Sequence, residues 1–211
     1  MFDAIAPRYD LVNRVMTFGL DRSWRRAAVE ALGQPHGSTV VDVACGTGDF
    51  CRELTSAGYR PVGVDFSWGM LASARTEAPL VQADALQLPF GRGSVAGVTC
   101  GFALRNVTDI AVLLGELARV LERGGRVALL EVGHPESTLL RTGHSLYFNR
   151  IVPLLGGAIS DKAAYRYLPE SAAYLPEPPA LQELLEEADF GRVRRRQFAL
   201  GAAQLVTATR N

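Results

Sequence analysis

The segment from Val40 to Phe50 constrains the fold more than any other part of this chain. A β-branched run that ends at Val43 leads into a glycine turn, and a helical pattern begins at Phe50. Glycines let a backbone approach a ligand closely, and the free N–H groups of a helix N-terminus favour an anion. A dinucleotide fingerprint needs a third glycine where this chain has Cys51. Asp42 would also repel a pyrophosphate, so it favours a ligand that carries an amino group there.

Strand and helix patterns alternate along the following ninety residues. The helical face from Ile110 to Leu121 is the clearest; Thr108 is its expected N-cap and Gly124-Gly125 its stop. Alternation of this kind predicts an α/β fold with a doubly wound, Rossmann-like parallel sheet. A last helix and two strand-like runs close the chain. The predicted strands span residues 39–43, 60–64, 80–82, 94–100, 126–131, 193–200 and 204–209.

Composition excludes several classes of protein. The 211 residues include 22 basic and 22 acidic ones, and a net charge of zero argues against an electrostatic nucleic-acid binder. Three cysteines cannot form a disulfide framework, which indicates a reducing cytosol. No apolar stretch approaches the roughly 20 residues of a membrane span, and the N-terminus does not have the pattern of a signal peptide. Neither the histidines nor the cysteines have metal-site spacing, so we expect no metal.

Three acids lie at or just after the ends of three successive predicted strands. Asp42 precedes the glycine loop, Asp65 closes the second strand, and Asp84-Ala85 follows the third. A carboxylate at the second position can accept hydrogen bonds from both hydroxyls of a ribose. The carboxylate of Asp84 could accept one from an adenine amino group, although alone it could be an ordinary turn residue. Together the acids predict a pocket for an adenosine joined to an amino acid, which is S-adenosylmethionine.

The glycine loop and four further segments extend this prediction to a family. Residues 42–50, Asp-Val-Ala-Cys-Gly-Thr-Gly-Asp-Phe, resemble the first motif of class I S-adenosylmethionine-dependent methyltransferases. Phe2 to Asn13, Gly19 with Trp24-Arg25, Leu104 to Asp109 and Tyr165 to Ser171 resemble, more narrowly, the ubiquinone/menaquinone biosynthesis C-methyltransferases. The resemblance implies a seven-stranded sheet, mostly parallel with a C-terminal antiparallel strand pair. The expected donor contacts are Tyr9, Asp42, Gly46, Thr47, Gly48, Asp65, Phe66, Asp84, Ala85 and Gly101.

A single domain, residues 1–211, is expected under this resemblance. It comprises an N-terminal helical lid (1–36), a cofactor-binding core (37–135), an acceptor-site cap (136–178) and a C-terminal helix with the strand pair (179–211). The chain departs from the usual family pattern at four positions near the site. Asp21 replaces a histidine, Cys51 a hydroxyl residue, and Gly101 and Gly133 each replace a serine. These departures leave the donor pocket intact and bear on the acceptor.

The implied reaction is methyl transfer to a ring carbon of a polyprenylated quinol such as demethylmenaquinol. The sulfonium already activates the methyl group, so the protein must make the acceptor electron-rich by aiming hydrogen bonds or charge at its ring oxygen. Arg105 and Asn106 follow the fourth strand and are the predicted catalytic pair; the alternative for Arg105 is a surface cation or an ion pair with Asp109. Weaker candidates for acceptor contact, two of them possible bases, are His134, His144, Tyr147 and Tyr165.

Two other functions stay open at this point. One keeps the fold and donor but methylates a carbon or oxygen of a soluble aromatic or polyketide. The other is a non-catalytic subunit of a biosynthetic complex. The expected location is the cytoplasm, with at most peripheral contact at the inner face of the membrane. Neutral net charge favours a weak apolar contact over polybasic anchoring. A homodimer is left open.

Overall fold

The computed structural model of the protein describes residues 17–133 and 174–211. Their seven strands form one sheet in the order β3-β2-β1-β4-β5-β7-β6. Strands β1 to β5 pair in parallel, and β7 is antiparallel to both of its neighbours, β5 and β6. The predicted mostly parallel sheet with a C-terminal antiparallel pair is therefore confirmed. The strands are Thr39–Val43, Arg60–Asp65, Leu80–Gln82, Val95–Gly101, Leu121–Val132, Phe190–Phe198 and Ala203–Arg210.

Five α-helices accompany the sheet in the described part of the chain. In chain order, α1 to α5 span Asp21–Leu32, Asp49–Ser56, Trp68–Ala72, Ile110–Val120 and Pro178–Glu187. A short 3-10 turn, Leu104–Asn106, follows β4, and another, Ala199–Gly201, joins β6 to β7. Gly33 ends α1 in the left-handed conformation, with a φ of 53°, as its position after the apolar stripe predicts.

The two faces of the sheet bury separate apolar clusters. On one face Trp24 and Leu32 of α1 and Leu54 of α2 pack with Leu130 and Leu205 of the sheet. On the other face, leucines of α4 and α5 pack with the inward side chains of β1, β4 and β5; they are Leu113, Leu114, Leu117, Leu181 and Leu185. Strands covered on both faces read as continuous apolar runs, which is why the sequence marks β1 and β4 clearly.

Local geometry corrects some predicted boundaries. Thr108 is not the cap of α4; the carboxylate of Asp109 accepts the Val112 amide at 3.0 Å and caps the helix instead. Strand β5 begins at Leu121 rather than Arg126, because Leu121 already pairs with Val95 before a register shift at the glycine pair. Strand β6 begins at Phe190, earlier than predicted.

The strand order places a site at one edge of the sheet. From β1 the chain adds β2 and β3 on one side and then crosses to add β4 on the other. Ligands of doubly wound folds bind outside the carboxyl ends of the strands at this reversal. A functional site is therefore expected at the ends of β1 and β4 and the loops that follow them.

Candidate active site

A pocket of about 420 Å³ opens at that edge, within the size range of small-molecule sites. It lies among the ends of β1, β2 and β4 and the loops that follow β3 and β4. Gly48 and Arg105 do not line it. Nine of the residues expected from the sequence do: Asp42, Gly46, Thr47, Asp65, Phe66, Asp84, Ala85, Gly101 and Asn106.

The glycine loop owes its shape to two left-handed residues. Gly48 has a φ of +84°, and a Cβ there would lie 2.7 Å from the Thr76 side chain, so only glycine fits. Gly46 has a φ of +54° and lines the pocket, and the space where its Cβ would stand is open to 4 Å. Gly48 therefore builds the turn, while Gly46 leaves room for a ligand against the backbone.

Asp65 joins the end of β2 to the glycine loop. One carboxylate oxygen accepts the Gly46 amide at 2.8 Å, and the other accepts the Ser67 amide at 2.8 Å. Two charge-assisted bonds hold the carboxylate in one orientation at the pocket wall. Each oxygen has further lone-pair capacity, so the group can still receive ligand hydroxyls.

Asp42 is the buried acid at the base of the pocket, with 1% of its surface exposed. The Thr99 hydroxyl donates to it at 2.8 Å and the Cys51 thiol at 3.7 Å. Burial raises the pKa of Asp42 to about 7, although these donors and the nearby Arg25 oppose the rise. Cys51 thus fills the donor role that a hydroxyl residue would have, which accounts for one of the four departures.

Asp84 has a different environment from the other two acids. It is exposed, and one carboxylate oxygen accepts the Leu86 amide at 2.9 Å, the geometry of a side-chain turn. Phe66, which lines the same pocket, is 75% exposed. An exposed aromatic side chain and a carboxylate in one pocket suit a flat, nitrogen-rich ring that can stack and donate a hydrogen bond.

Arg25 of α1 is a pocket cation that the sequence reasoning missed as a site residue. It is buried, pairs with Asp21 and contacts Asp49 at 3.0 Å. Its guanidinium carbon lies 5.9 Å from the ring centres of both Phe50 and Phe102. Burial would raise the pKa of Asp21, but the pairing with Arg25 outweighs it and the pKa lies below its usual value. The departure at Asp21 thus supplies a carboxylate partner to Arg25.

Of the predicted catalytic pair, Asn106 lines the pocket and Arg105 does not. Arg105 is buried and its guanidinium pairs with Glu131 at the end of β5, so the expected alternative partner, Asp109, is wrong. Asp109 is already used as the cap of α4. Asn106 lines the pocket, and its Oδ1 is buried without a hydrogen-bond partner among the described residues. Such an oxygen is costly to leave unpaired in a buried position.

The two glycine departures follow from close packing. A Cβ at Gly101 would lie 2.6 Å from the Phe50 ring, and one at Gly133 would lie 2.3 Å from the carbonyl oxygen of Gly201. Side chains at either position would require the ring or the hairpin turn to move. These departures therefore reflect packing within this chain.

Several predictions fall outside the described residues, and the structure does not test them. The cap region lies largely there as well. Within 17–133 and 174–211, no cluster of three or more His, Cys, Asp or Glu could hold a metal ion. In the same ranges, no helix has the length and apolar character needed to cross a membrane. The candidate site residues outside the described ranges are Tyr9, His134, His144, Tyr147 and Tyr165.

Comparison with protein families assigns the chain. The model of the ubiE/COQ5 methyltransferase family matches residues 1–210. The chain belongs to the ubiE/COQ5 methyltransferase family. It is 46% identical to the demethylmenaquinone methyltransferase of Roseiflexus castenholzii, over 98% of this chain and 90% of the relative. It is 38% identical to the ubiquinone/menaquinone biosynthesis C-methyltransferase UbiE of Geobacter sulfurreducens, over 98% of this chain and 86% of the relative.

Solved structures of low identity agree on the fold of this family member. An S-adenosylmethionine-dependent methyltransferase from Mesorhizobium loti superposes with a TM-score of 0.63 at 20% identity, covering 91% of this chain and all of that one. Phosphoethanolamine N-methyltransferase 2 of Haemonchus contortus, solved with S-adenosyl-L-methionine, gives 0.65 at 16% identity over 88% of this chain. This chain spans about half the length of that protein, 52%. Its membership of the ubiE/COQ5 methyltransferase family, rather than these distant structures, identifies the chain as a methyltransferase enzyme.

Proposed function

We propose that this protein transfers a methyl group from S-adenosylmethionine to a ring carbon of a polyprenylated quinol such as demethylmenaquinol. The observation that carries the proposal is one pocket that combines Asp42, Asp65 and Asp84 with Asn106, whose amide oxygen has no hydrogen-bond partner among residues 17–133 and 174–211. The names of the relatives, demethylmenaquinone methyltransferase and UbiE, support the acceptor class. Within the described residues, the departures at Asp21 and Cys51 are explained by hydrogen bonds or ion pairs and those at Gly101 and Gly133 by close packing.

The donor fits the acidic part of the pocket. Asp65, fixed by two backbone amides, would receive the ribose hydroxyls, while Asp84-Ala85 and Phe66 would enclose the adenine. Gly46 and Thr47 line the wall nearest Asp42, whose carboxylate would face the methionine amino group. When bound, S-adenosylmethionine supplies an electrophilic methyl group on its sulfonium. A cationic amino group beside Asp42 favours the charged carboxylate and so lowers its pKa from about 7.

The acceptor would lie against the turn that follows β4. The Asn106 oxygen can accept the ring hydroxyl of the quinol, which increases electron density on that oxygen and on the carbon that attacks. Arg105 would act by holding this turn through Glu131 rather than by touching the acceptor. Phe50 and Phe102, packed around Arg25, present apolar surface beside Gly101 and help to exclude water.

Residues beyond the described ranges complete the proposal. Tyr9 would contact the donor from the lid, and His134, His144, Tyr147 and Tyr165 would contact the acceptor from the cap. The protein would act in the cytoplasm on a small lipophilic partner, with peripheral contact at the inner face of the membrane and no nucleic-acid partner. A homodimer is compatible with this arrangement.

Methylation with labelled donor tests the acceptor directly. The enzyme is incubated with a prenylated naphthoquinol under a reductant and, separately, with soluble phenols. We expect label in the quinone fraction, attached at carbon and stable to ether cleavage. Label only in a soluble phenol would replace the acceptor class. An absence of transfer to any acceptor, in a sample that binds S-adenosylhomocysteine, would refute the catalytic proposal.

A further inference from the structure

Strand β6 concentrates positive charge in a chain whose net charge is zero. It contains Arg192, Arg194, Arg195 and Arg196 and no acidic residue between Phe190 and Phe198. Whole-chain neutrality therefore conceals a local cluster of four cations. Local charge distribution, not net charge, decides what a surface attracts.

All four of these arginines line a groove beside α1. β6 is the last strand at one edge of the sheet. Arg194 and Arg196 pair with Thr207 and Leu205 of β7 and project from the same face as those residues. With Arg192 and Arg126 they line a groove of about 460 Å³. Among the described residues, Glu30 is the acidic one that lines this groove. Arg195 also lines the groove, and its Nε donates to the Gln204 side chain at 2.7 Å.

Three of the β6 arginines, not including Arg195, have no acidic partner among residues 17–133 and 174–211. Arg192, Arg194 and Arg196 form no ion pair there; the Arg196 guanidinium lies 4.8 Å from the Phe198 ring centre. By contrast, Arg22 and Arg26 on α1 both pair with Glu53. The three exposed guanidinium groups on β6 thus have donors available for an external anion, and a planar fork suits phosphate oxygens.

An exposed apolar residue stands at the end of the same strand. Leu200, in the turn between β6 and β7, is 74% exposed and has a left-handed φ of +58°. Ala203, which follows this turn, pairs with Val132 at the carboxyl end of β5. The turn therefore lies on the edge of the sheet at which the active-site pocket opens. At the end of β6 the Phe198 ring stacks on the Trp24 ring of α1, with 6.1 Å between the ring centres.

We propose that β6 and its hairpin turn form a docking surface for an anionic bilayer. Arg192, Arg194 and Arg196 bind lipid phosphates, and Leu200 enters the boundary between headgroups and acyl chains. A basic strand next to an apolar tip is the combination that gives reversible interfacial binding. A free phosphate or a nucleic acid would not require the tip. The choice of a bilayer also rests on the proposed function, because a polyprenylated acceptor resides there.

This surface differs from the weak apolar contact that net charge predicts, because the cluster is local. Arginines on an edge strand can also serve to prevent pairing with another sheet. In that case their removal would cause self-association without changing affinity for lipid. The two roles therefore give opposite results in a binding assay.

Vesicle binding of the full chain, without donor or acceptor, tests the proposal. Phosphatidylcholine vesicles with and without phosphatidylglycerol are compared for the wild type and the triple variant R192Q/R194Q/R196Q. The matched control is R60Q/R92Q/R123Q, which removes the same charge from other exposed positions. We expect salt-sensitive binding of the wild type to the anionic vesicles alone. The β6 variant should lose about a hundredfold in affinity, since each arginine near an anionic surface contributes about 1 kcal/mol.

The control variant should stay within a few fold of the wild type, and Leu200→Ser should weaken binding without altering its salt dependence. Wild-type binding no stronger to anionic than to neutral vesicles would overturn the proposal. So would equal losses in the two triple variants, or binding to an RNA oligonucleotide or inorganic phosphate but not to vesicles. Self-association of the β6 variant with unchanged lipid affinity would assign the arginines to edge protection. The assay measures vesicle binding and not methylation. Its result can therefore be interpreted even if the proposed acceptor is wrong.

Discussion

The two sides of the pocket differ in how their polar groups are held. On the donor side, Asp42, Asp65 and Asp84 sit in or directly after β1, β2 and β3, and backbone amides or short side chains fix them. On the side where we propose that the acceptor binds, Arg105 lies behind the pocket wall, in the turn after β4, and depends on a partner from another element, Glu131 of β5. The strand order alone therefore positions the three acids on the proposed donor side. The turn on the proposed acceptor side depends in addition on a buried ion pair. This difference predicts distinct failures when each side is altered.

The largest effect is expected from breaking the ion pair of the acceptor side. Arg105→Ala leaves the Glu131 carboxylate buried without its partner, so the free energy of unfolding should fall by about 3–5 kcal/mol in urea titrations. Activity should fall more than donor affinity does, because the Asn106 turn loses its anchor. The double variant Arg105→Leu/Glu131→Leu should regain most of the stability but not the activity. A stable Arg105→Ala protein would mean that the pair is not what holds the turn.

Asp65→Ala should give the opposite pattern on the donor side. The glycine loop loses its Gly46 contact and the donor loses its ribose contact, so affinity for S-adenosylhomocysteine should fall about a hundredfold by calorimetry. Asp84→Ala, which removes an exposed carboxylate, should cost about tenfold. Unchanged affinity in the Asp65 variant would erase the distinction between the two sides.

Gly101→Ala tests the packing at the junction of the two sides. Its Cβ would collide with the Phe50 ring, so we expect a loss of about 1–3 kcal/mol in the free energy of unfolding. Gly115→Ala on the exposed face of α4 is the matched control, because nothing lies within 4 Å of its Cβ. That substitution should be stabilising by up to about 1 kcal/mol. Equal effects of the two changes would show that Phe50 moves freely.

A separate effect is a pH dependence of stability that arises from Asp42. Its folded pKa of about 7 lies above the ordinary 3.8, so the folded protein holds a proton that the unfolded chain releases between these values. The free energy of unfolding should therefore decline from about pH 4 to pH 7, and this decline should vanish in Asp42→Asn. Donor affinity should rise with pH, by up to about tenfold per unit below pH 7. A flat binding profile in the wild type would remove Asp42 from the amino-group site.

The sequence predicts for a physical reason that the three acids meet in one pocket. Strand ends of a parallel sheet meet at one edge, so the order of strands and the residues that follow them are enough to bring Asp42, Asp65 and Asp84 together. Arg25 could not be found in this way, because its place in the pocket depends on how α1 packs and on the choice of Asp21 and Asp49 as partners. The partner of Arg105 was missed likewise, since Asp109 is nearer in sequence but is used as a helix cap.

A structure of the protein with S-adenosylhomocysteine tests the central claim most directly. We predict the ribose hydroxyls within hydrogen-bond distance of the Asp65 carboxylate, the amino group facing Asp42, and the sulfur on the side of Gly101 and Asn106. The product bound elsewhere, or the same pocket filled with its ribose remote from Asp65, would contradict the account.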